Sequence, residues 1–494
     1  MSKSIRLNAF FKTLMSIVNI IFPLITAPYA ARVLSVDGFT EYNKAVSMIG
    51  WFSPFAVFGI YTYGMRSISR IKNNTEKVSA LFTRLFCFNI FTAVCASVAY
   101  LVLIFSVPSF IQYRRMYVVF TVQLLFVCFA TDWVCEAFES YGFILIKTFF
   151  CRLLYIVSVF IFVRRSDDIF LYVVLSCLSL LFNNVLTFAY TKKRICFVKI
   201  KFRETVSFSK PLFTVFLLVN SSMLYTIFDR FVLVWFGDKL NLTYYTISQI
   251  VITALVNVTT SVLLVTIPRL SFYWANGRQA DYYALLGKSS STFLALHTPF
   301  CIGTACLSFE VIYFYAGTRY LAASASLFLF SLRYYISAFD MILAKQVLFA
   351  TGNERLLTKI YYTGGIYNIF CKVGLVFMER LSPELCIITT ASSDLLVILL
   401  QIFMIRKLKL RISLFPGKIC KYLLTSLLFI PVVASVRHFI PFAGIHSMFF
   451  RCAVSVLLCS ALYATMLFIT KDDFIKIFIT GTSRQFAVPE ERAE

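Results

Sequence analysis

The sequence predicts an all-α polytopic membrane protein of about fourteen transmembrane helices. Three observations predict it. The 494 residues are 60% hydrophobic and only 14% charged, against about 25% charged in a soluble domain. The apolar residues fall in runs of ~20 or more, the length needed to cross a bilayer, separated by short loops. Lys and Arg concentrate in alternate loops, as they do in loops that stay on the cytoplasmic side. A strand reading fails because the runs are too long and do not alternate.

In order, the spans cover about 10–33, 44–65, 81–106, 116–138, 146–163, 169–190, 211–236, 244–268, 289–314, 321–350, 357–378, 384–405, 420–437 and 446–470. Pro23 and Pro28 interrupt the first, Pro54 the second and Pro431 the thirteenth. Each proline removes a backbone hydrogen bond and bends its helix. No small-residue cleavage site follows a short apolar core near the N-terminus, so the first span itself is expected to direct insertion.

The basic bias marks the loops after the even-numbered spans, and both termini, as cytoplasmic. The largest block is Tyr190–Pro211, which holds Lys192, Lys193, Arg194, Lys199, Lys201, Arg203 and Lys210 against Glu204 alone. It divides the chain into an N-terminal lobe over 1–190 (spans 1–6), a linker over 191–210, a C-terminal lobe over 211–405 (spans 7–12), and two extra spans with a cytoplasmic tail over 406–494. An internal repeat straddles the linker. Lys12 precedes Arg32 by 20 residues, and Lys210 precedes Arg230 by 20; Tyr42 precedes Arg66 by 24, and Tyr245 precedes Arg269 by 24. Such a repeat describes two six-span bundles of the same topology.

The net charge of +24 is explained by loop topology, so no nucleic-acid partner is expected. The fourteen cysteines lack C-x-x-C spacing and sit mostly in apolar runs, where they act as small hydrophobes. No metal-ligand pattern surrounds His297, His438 or His446. Gly287-Lys288-Ser289 is not a phosphate-binding loop, because Tyr282 stands where a glycine is required. No nucleophile–base pairing is visible and the loops are short, so an enzyme is not expected.

The informative residues are ionisable groups inside spans, each costly unless it faces water or a partner. Arg333 and Asp394 lie near mid-bilayer, Lys372 deep in span 11, and Arg152 in the inner half of span 5. Asp132, Glu136 and Glu139 are spaced to share one helix face. Arg32, Asp229 and Arg230 approach one mouth of the bundle, and Arg66 and Arg269 the other. Two arrangements fit: a hydrated central cavity with cations at several depths, suited to an anionic substrate, or internal pairs such as Arg333–Asp394 and Lys372–Asp394. Tyrosine strings such as Tyr61-Thr62-Tyr63, Tyr244-Tyr245 and Tyr361-Tyr362 could stack on sugar rings in a cavity or anchor spans at the membrane interface. The interface is favoured except at Tyr334-Tyr335, which lies beside Arg333 near mid-span.

Phe22–Leu34 (FPLITAPYAARVL) resembles the first span of Wzx-type polysaccharide repeat-unit flippases of the MOP exporter superfamily. Asp132-Trp133 with Glu139 is similar to that family's D-W-x-x-Q-G-x-E string. Lys147, Arg152, Asp167-Asp168, Lys210-Pro211, Tyr225-Thr226, Asp229, Tyr244-Tyr245, Pro268-Arg269, Lys288-Ser289, Gln346, Glu354, Asn368 and Ser393-Asp394 follow in family order. Glu136 replaces the usual Gln, Ala137 a Gly, Lys372 an Asn and Asp394 a Glu. The resemblance, over roughly 8–405, implies two six-helix lobes around a central cleft in the bacterial inner membrane. It implies a substrate of one oligosaccharide repeat unit on undecaprenyl pyrophosphate, flipped to the periplasmic leaflet, with a polysaccharide polymerase and chain-length regulator as partners. No cofactor is expected; the driving force is a proton or sodium gradient or the pull of polymerisation. On this view Arg32, Arg66, Arg152, Arg230, Arg269, Arg333, Lys372 and Tyr334 are cavity candidates. Asp132, Glu136, Asp229 and Asp394 are candidates for coupling or ion pairing. The alternative is a cation-coupled multidrug exporter of the same superfamily. That function would call for an acid in a span, whereas the first span has none and Asp37 lies beyond it.

Overall fold

Apolar runs of this length close all their backbone hydrogen bonds internally only as helices. The computed structural model describes residues 2–200, 208–410, 418–442, 444–472 and 474, and holds no strand among them. Residues 201–207 of the basic linker, 411–417 and most of the C-terminal tail lie outside the described residues. Ten helical stretches are long and apolar enough to cross a membrane, or eleven if one bent pair counts as a single span. All fourteen expected segments are helical, so a count of fourteen is compatible; the first, seventh and eleventh are not among those ten or eleven.

Contacts divide the chain into two units, Met1–Thr243 and Tyr244–Glu494. The first contains α1 (Ser2–Val33), α2 (Val36–Val57), α3 (Ile60–Ile71), α4 (Thr75–Ser106), α5 (Arg114–Leu125), α6 (Asp132–Ala137), α7 (Tyr141–Phe162), α8 (Ile169–Lys192), α9 (Ser209–Val219) and α10 (Thr226–Phe236). The helix expected over 44–65 does not break at Pro54. It runs on to Val57 and breaks at Phe58 and Gly59, both left-handed, with φ of 46° and 77°. The amide of Phe58 donates to the Pro54 carbonyl. Gly59 is required there twice over: a Cβ would meet the Phe216 nitrogen at 2.9 Å, so α9 packs against the break. Trp133 of α6 lies on Gly64 of α3 and stacks on Phe82 of α4, with ring centroids 5.9 Å apart. These rings join Ile60, Ile68 and Phe86 in the core of α3, α4 and α6. Trp51 of α2 stacks on Phe231 of α10 at 4.6 Å, which places the seventh helical segment with the first unit by contact.

The second unit contains most of α11 (Asn241–Ala275), then α12 (Gln279–Cys306), α13 (Ser308–Ala316), α14 (Ala323–Met341), α15 (Glu354–Phe377), α16 (Pro383–Lys407), α17 (Lys418–Leu427), α18 (Phe429–Phe439) and α19 (Ile445–Ile469). The pair α12–α13 bends by 75° at its break. After Met341, α14 widens into a π-helix over Ile342–Phe349. The thirteenth expected span is broken at Leu428, but Lys418–Phe439 as a whole is long and apolar enough to cross. Ion pairs hold the last helices at both ends. Arg437 Nη2 lies 2.7 Å from Glu310 of α13, with Arg451 of α19 at 3.8 Å from the same carboxylate, and Lys421 pairs with Asp472. Phe429 and Tyr463 fill the interior between these contacts.

Candidate functional site

In the first unit the charged cluster is built on α6, α7 and α8. Asp132 and Glu136 are one turn apart on α6. Lys147 of α7 is buried and donates to Asp132 Oδ1 at 2.8 Å and to the Thr187 hydroxyl of α8. The same Thr187 hydroxyl lies 3.3 Å from Asp132 Oδ1. Asp132 borders a cavity of about 220 Å³ lined also by Tyr61, Glu136, Thr148, Arg152 and Asn183, among others. The Tyr61 hydroxyl faces Glu136, and Asn183 Oδ1 is buried without a hydrogen-bond partner. The pocket therefore offers acids, a guanidinium and amide groups to a polar ligand.

Glu139 does not share the face of Asp132 and Glu136. α6 ends at Ala137, and Glu139 takes the left-handed conformation with φ of 58°. The amide of Ser140 closes the turn on the Cys135 carbonyl, a helix-ending pattern that usually employs glycine. Glu139 is exposed and pairs with Lys72 at 3.1 Å.

In the second unit the cluster spans α14 and α16. Arg333 Nε donates to Asp394 Oδ2 at 2.8 Å, and the Ser337 hydroxyl donates to the same oxygen at 2.9 Å. Both partners are largely buried, at 9% and 14% side-chain exposure. A lone charge at this depth costs about 3 kcal/mol or more on insertion scales, and the pair offsets that cost for both groups. One guanidinium nitrogen, Arg333 Nη1, remains buried without a partner. The guanidinium also lies over the Tyr334 ring at 5.8 Å, and the Tyr334 hydroxyl reaches Thr253 of α11 at 3.2 Å.

Of the two ion pairs open to Asp394, the structure forms the one with Arg333. Lys372 is fully buried on α15 and donates to the Cys386 carbonyl and the hydroxyls of Thr389 and Thr390 on α16. Arg32 and Arg66 are exposed, Arg230 is partly buried, and Asp229 beside it is fully buried. Arg269 donates to the Tyr273 hydroxyl at 2.8 Å. None of these lines the cavity beside Asp132.

Sequence reasoning missed Asn183, Asp340 and Gln401, and favoured the membrane interface for Tyr61, which lines the cavity. Asp340 stands seven residues after Arg333 on α14, and Gln401 seven after Asp394 on α16. Gln401 Nε2 donates to Asp340 Oδ1 at 2.7 Å, so the helices meet through two polar rungs, two turns apart. The matched spacing was the available signal.

A family model described as "Polysaccharide biosynthesis protein" matches residues 5–274. The chain belongs to that family. A Shigella dysenteriae protein named for O-antigen transport is 20% identical over 376 residues, covering 73% of this chain and 90% of that protein. The lipid II flippase MurJ, in an inward closed conformation, superposes with a TM-score of 0.71 at 16% identity, over 95% of this chain and 99% of that one. MATE in the straight conformation gives 0.51 at 12% identity, over 82% and 96%. These structures share the fold. The resemblance to Wzx-type flippases of the MOP superfamily therefore holds. The first-unit cluster, from Tyr61 to Thr187, lies inside the segment matched by this polysaccharide biosynthesis family. The Arg333–Asp394 cluster lies beyond it.

Proposed function

We propose that the protein is a lipid-linked oligosaccharide flippase. It moves O-antigen or capsule repeat units, carried on undecaprenyl pyrophosphate, from the cytoplasmic to the periplasmic leaflet of the bacterial inner membrane by alternating access. Both termini face the cytoplasm. The observation that carries the proposal is Arg333, a guanidinium held inside an apolar helix unit with one nitrogen unpaired. A pyrophosphate diester brings about two negative charges, which hydrocarbon does not accept without a protein path. Guanidinium groups bind such oxygens in a planar, two-pronged geometry. Family membership supports the glycan-carrying substrate class.

Arg333 is the group we assign to the pyrophosphate. Arg152, Tyr61 and Asn183 are assigned to sugar hydroxyls. Arg32, Arg66, Arg230 and Arg269 are assigned to the route of the anion, Tyr334 to a sugar face, and Lys372 to holding α15 on α16. The polymerase and chain-length regulator act downstream, on the product.

The test is genetic and chemical. Cells lacking the protein should accumulate lipid-linked repeat units whose glycans cannot be reached from the periplasm. If those glycans become periplasmic at the normal rate without the protein, flipping is not its function.

A further inference from the structure

We propose that Asp340 is a proton-binding site of the second unit. The carboxylate lies at the last turn of α14, where the helix opens into the π-helical segment, a departure that recurs at functional sites. Its hydrogen bonds come from neutral groups. Gln401 Nε2 donates at 2.7 Å, and the Tyr361 hydroxyl of α15 lies 3.1 and 3.2 Å from the two oxygens. Arg333, the cation on its own helix, is taken by Asp394.

Among the described titratable and charged groups on the elements packed around it, the one cation acting on it besides Arg333 is Lys345. From α16 come Asp394, an acid, and Gln401. From α15 comes the Tyr361 phenol. The π-helical segment carries Lys345, which is exposed and lies over the Phe349 ring at 6.0 Å. From α12, His297 is turned to the Tyr334 carbonyl at 3.1 Å and to Thr259 of α11 at 2.7 Å. From α13, Glu310 is held by Arg437. The buried set Arg333, Asp394 and Asp340 thus carries one cation against two acids, with the exposed Lys345 compensating in part, and a proton completes the balance.

A second observation points to the same ligand. Gln401 is fully buried, and its Oε1 has no hydrogen-bond partner although its Nε2 is bonded to Asp340. Protonation turns one carboxylate oxygen into a donor, and a half-turn of the Gln401 amide presents Oε1 to accept from it. The Asp340–Gln401 hydrogen bond therefore survives in either state, with the carboxylate accepting in one and donating in the other. A metal ion suits the site poorly, because the amide and phenol hydrogens already point at the carboxylate, whereas cations such as Na⁺ are held by oxygen acceptors. Asp340 is partly buried by its neighbours on α14, α15 and α16.

The proton's use in driving transport rests on the flippase proposal; its binding does not. Purified full-length protein in lipid nanodiscs is examined by infrared difference spectroscopy between about pH 5 and about pH 8, either side of neutrality. A protonated-carboxyl band that titrates in this range is expected. It should vanish in Asp340→Asn, survive the exchange of sodium for choline, and shift its midpoint upward by about one pH unit in Gln401→Leu, which loses the donor that favours the carboxylate. Asp340→Asn keeps size and shape, and an unchanged elution profile shows that it folds. An identical titrating band in Asp340→Asn, no titrating band at all, or a band that moves with sodium overturns the site. In cells, Asp340→Asn should lower surface-polysaccharide export at least tenfold. Wild-type export with the band lost overturns its use in transport while leaving the site. Normal periplasmic glycans in cells lacking the protein defeat the flippase reading without touching the infrared result.

Discussion

Arg333 and Lys372 are both buried cations, and their surroundings assign them different work. Lys372 spends its hydrogens on a backbone carbonyl and two threonine hydroxyls of the neighbouring helix. Arg333 gives one nitrogen to Asp394 and keeps another unpaired. Removing one partner of a buried pair leaves the other charge stranded, at about 3–5 kcal/mol, whereas replacing both with apolar groups is often near neutral. Asp394→Leu is therefore expected to lower the unfolding temperature in detergent markedly. The double variant Arg333→Met with Asp394→Leu should recover most of that loss, yet not export. Recovery of export along with stability would show that Arg333 serves only structure. Lys372→Met, by contrast, should leave export per molecule of protein intact while lowering thermal stability; export lost at full stability would place Lys372 on the substrate's path.

At the scale of elements, the breaks matter more than the spans. Gly64 is where α3 meets α6: a Cβ there would lie 2.5 Å from two atoms of the Trp133 ring. Overpacking of this kind costs about 1–3 kcal/mol. Gly64→Ala should reduce the amount of folded protein and displace Asp132 and Glu136, which the same short helix carries. An unchanged thermal midpoint would mean the indole moves aside freely. The spans themselves were legible because hydropathy over ~20 residues is a strong signal. The breaks at Phe58–Gly59, at residues 126–131 and at 220–225 were not, since each depends on a few residues of turn chemistry inside an apolar run. Glu139 was misread for that reason: its spacing from Asp132 fits a helix face only if the helix continues. The Arg333–Asp394 pair was legible because it joins one mid-span cation to one mid-span acid. Asp340 and Gln401 were not, because the pairing of an acid with a neutral amide shows only when the two helices are set side by side.

At the scale of the whole chain, two helical units each enclose a charged cluster, and the first lies within the family match. The second also carries the last three helices, tied at one end through Glu310 to Arg437 and Arg451 and at the other through Lys421 to Asp472. Glu310 is fully buried, and its hydrogen bonds to Arg437 are charge-assisted, worth about 1.5–3 kcal/mol each in such settings. Glu310→Ala should make the segment after residue 418 more open to limited proteolysis; wild-type protease resistance would show that apolar packing alone retains it.

The central claim is that this chain carries a lipid-linked anion across a bilayer. It is tested most directly with purified protein in liposomes that hold an undecaprenyl-pyrophosphate oligosaccharide confined to the inner leaflet. The readout is the fraction of glycan that a membrane-impermeant lectin can reach from outside. The wild-type protein should raise that fraction well above that of protein-free vesicles, and Arg333→Ala should leave it at the protein-free level. A wild-type fraction equal to that of protein-free vesicles would contradict the account.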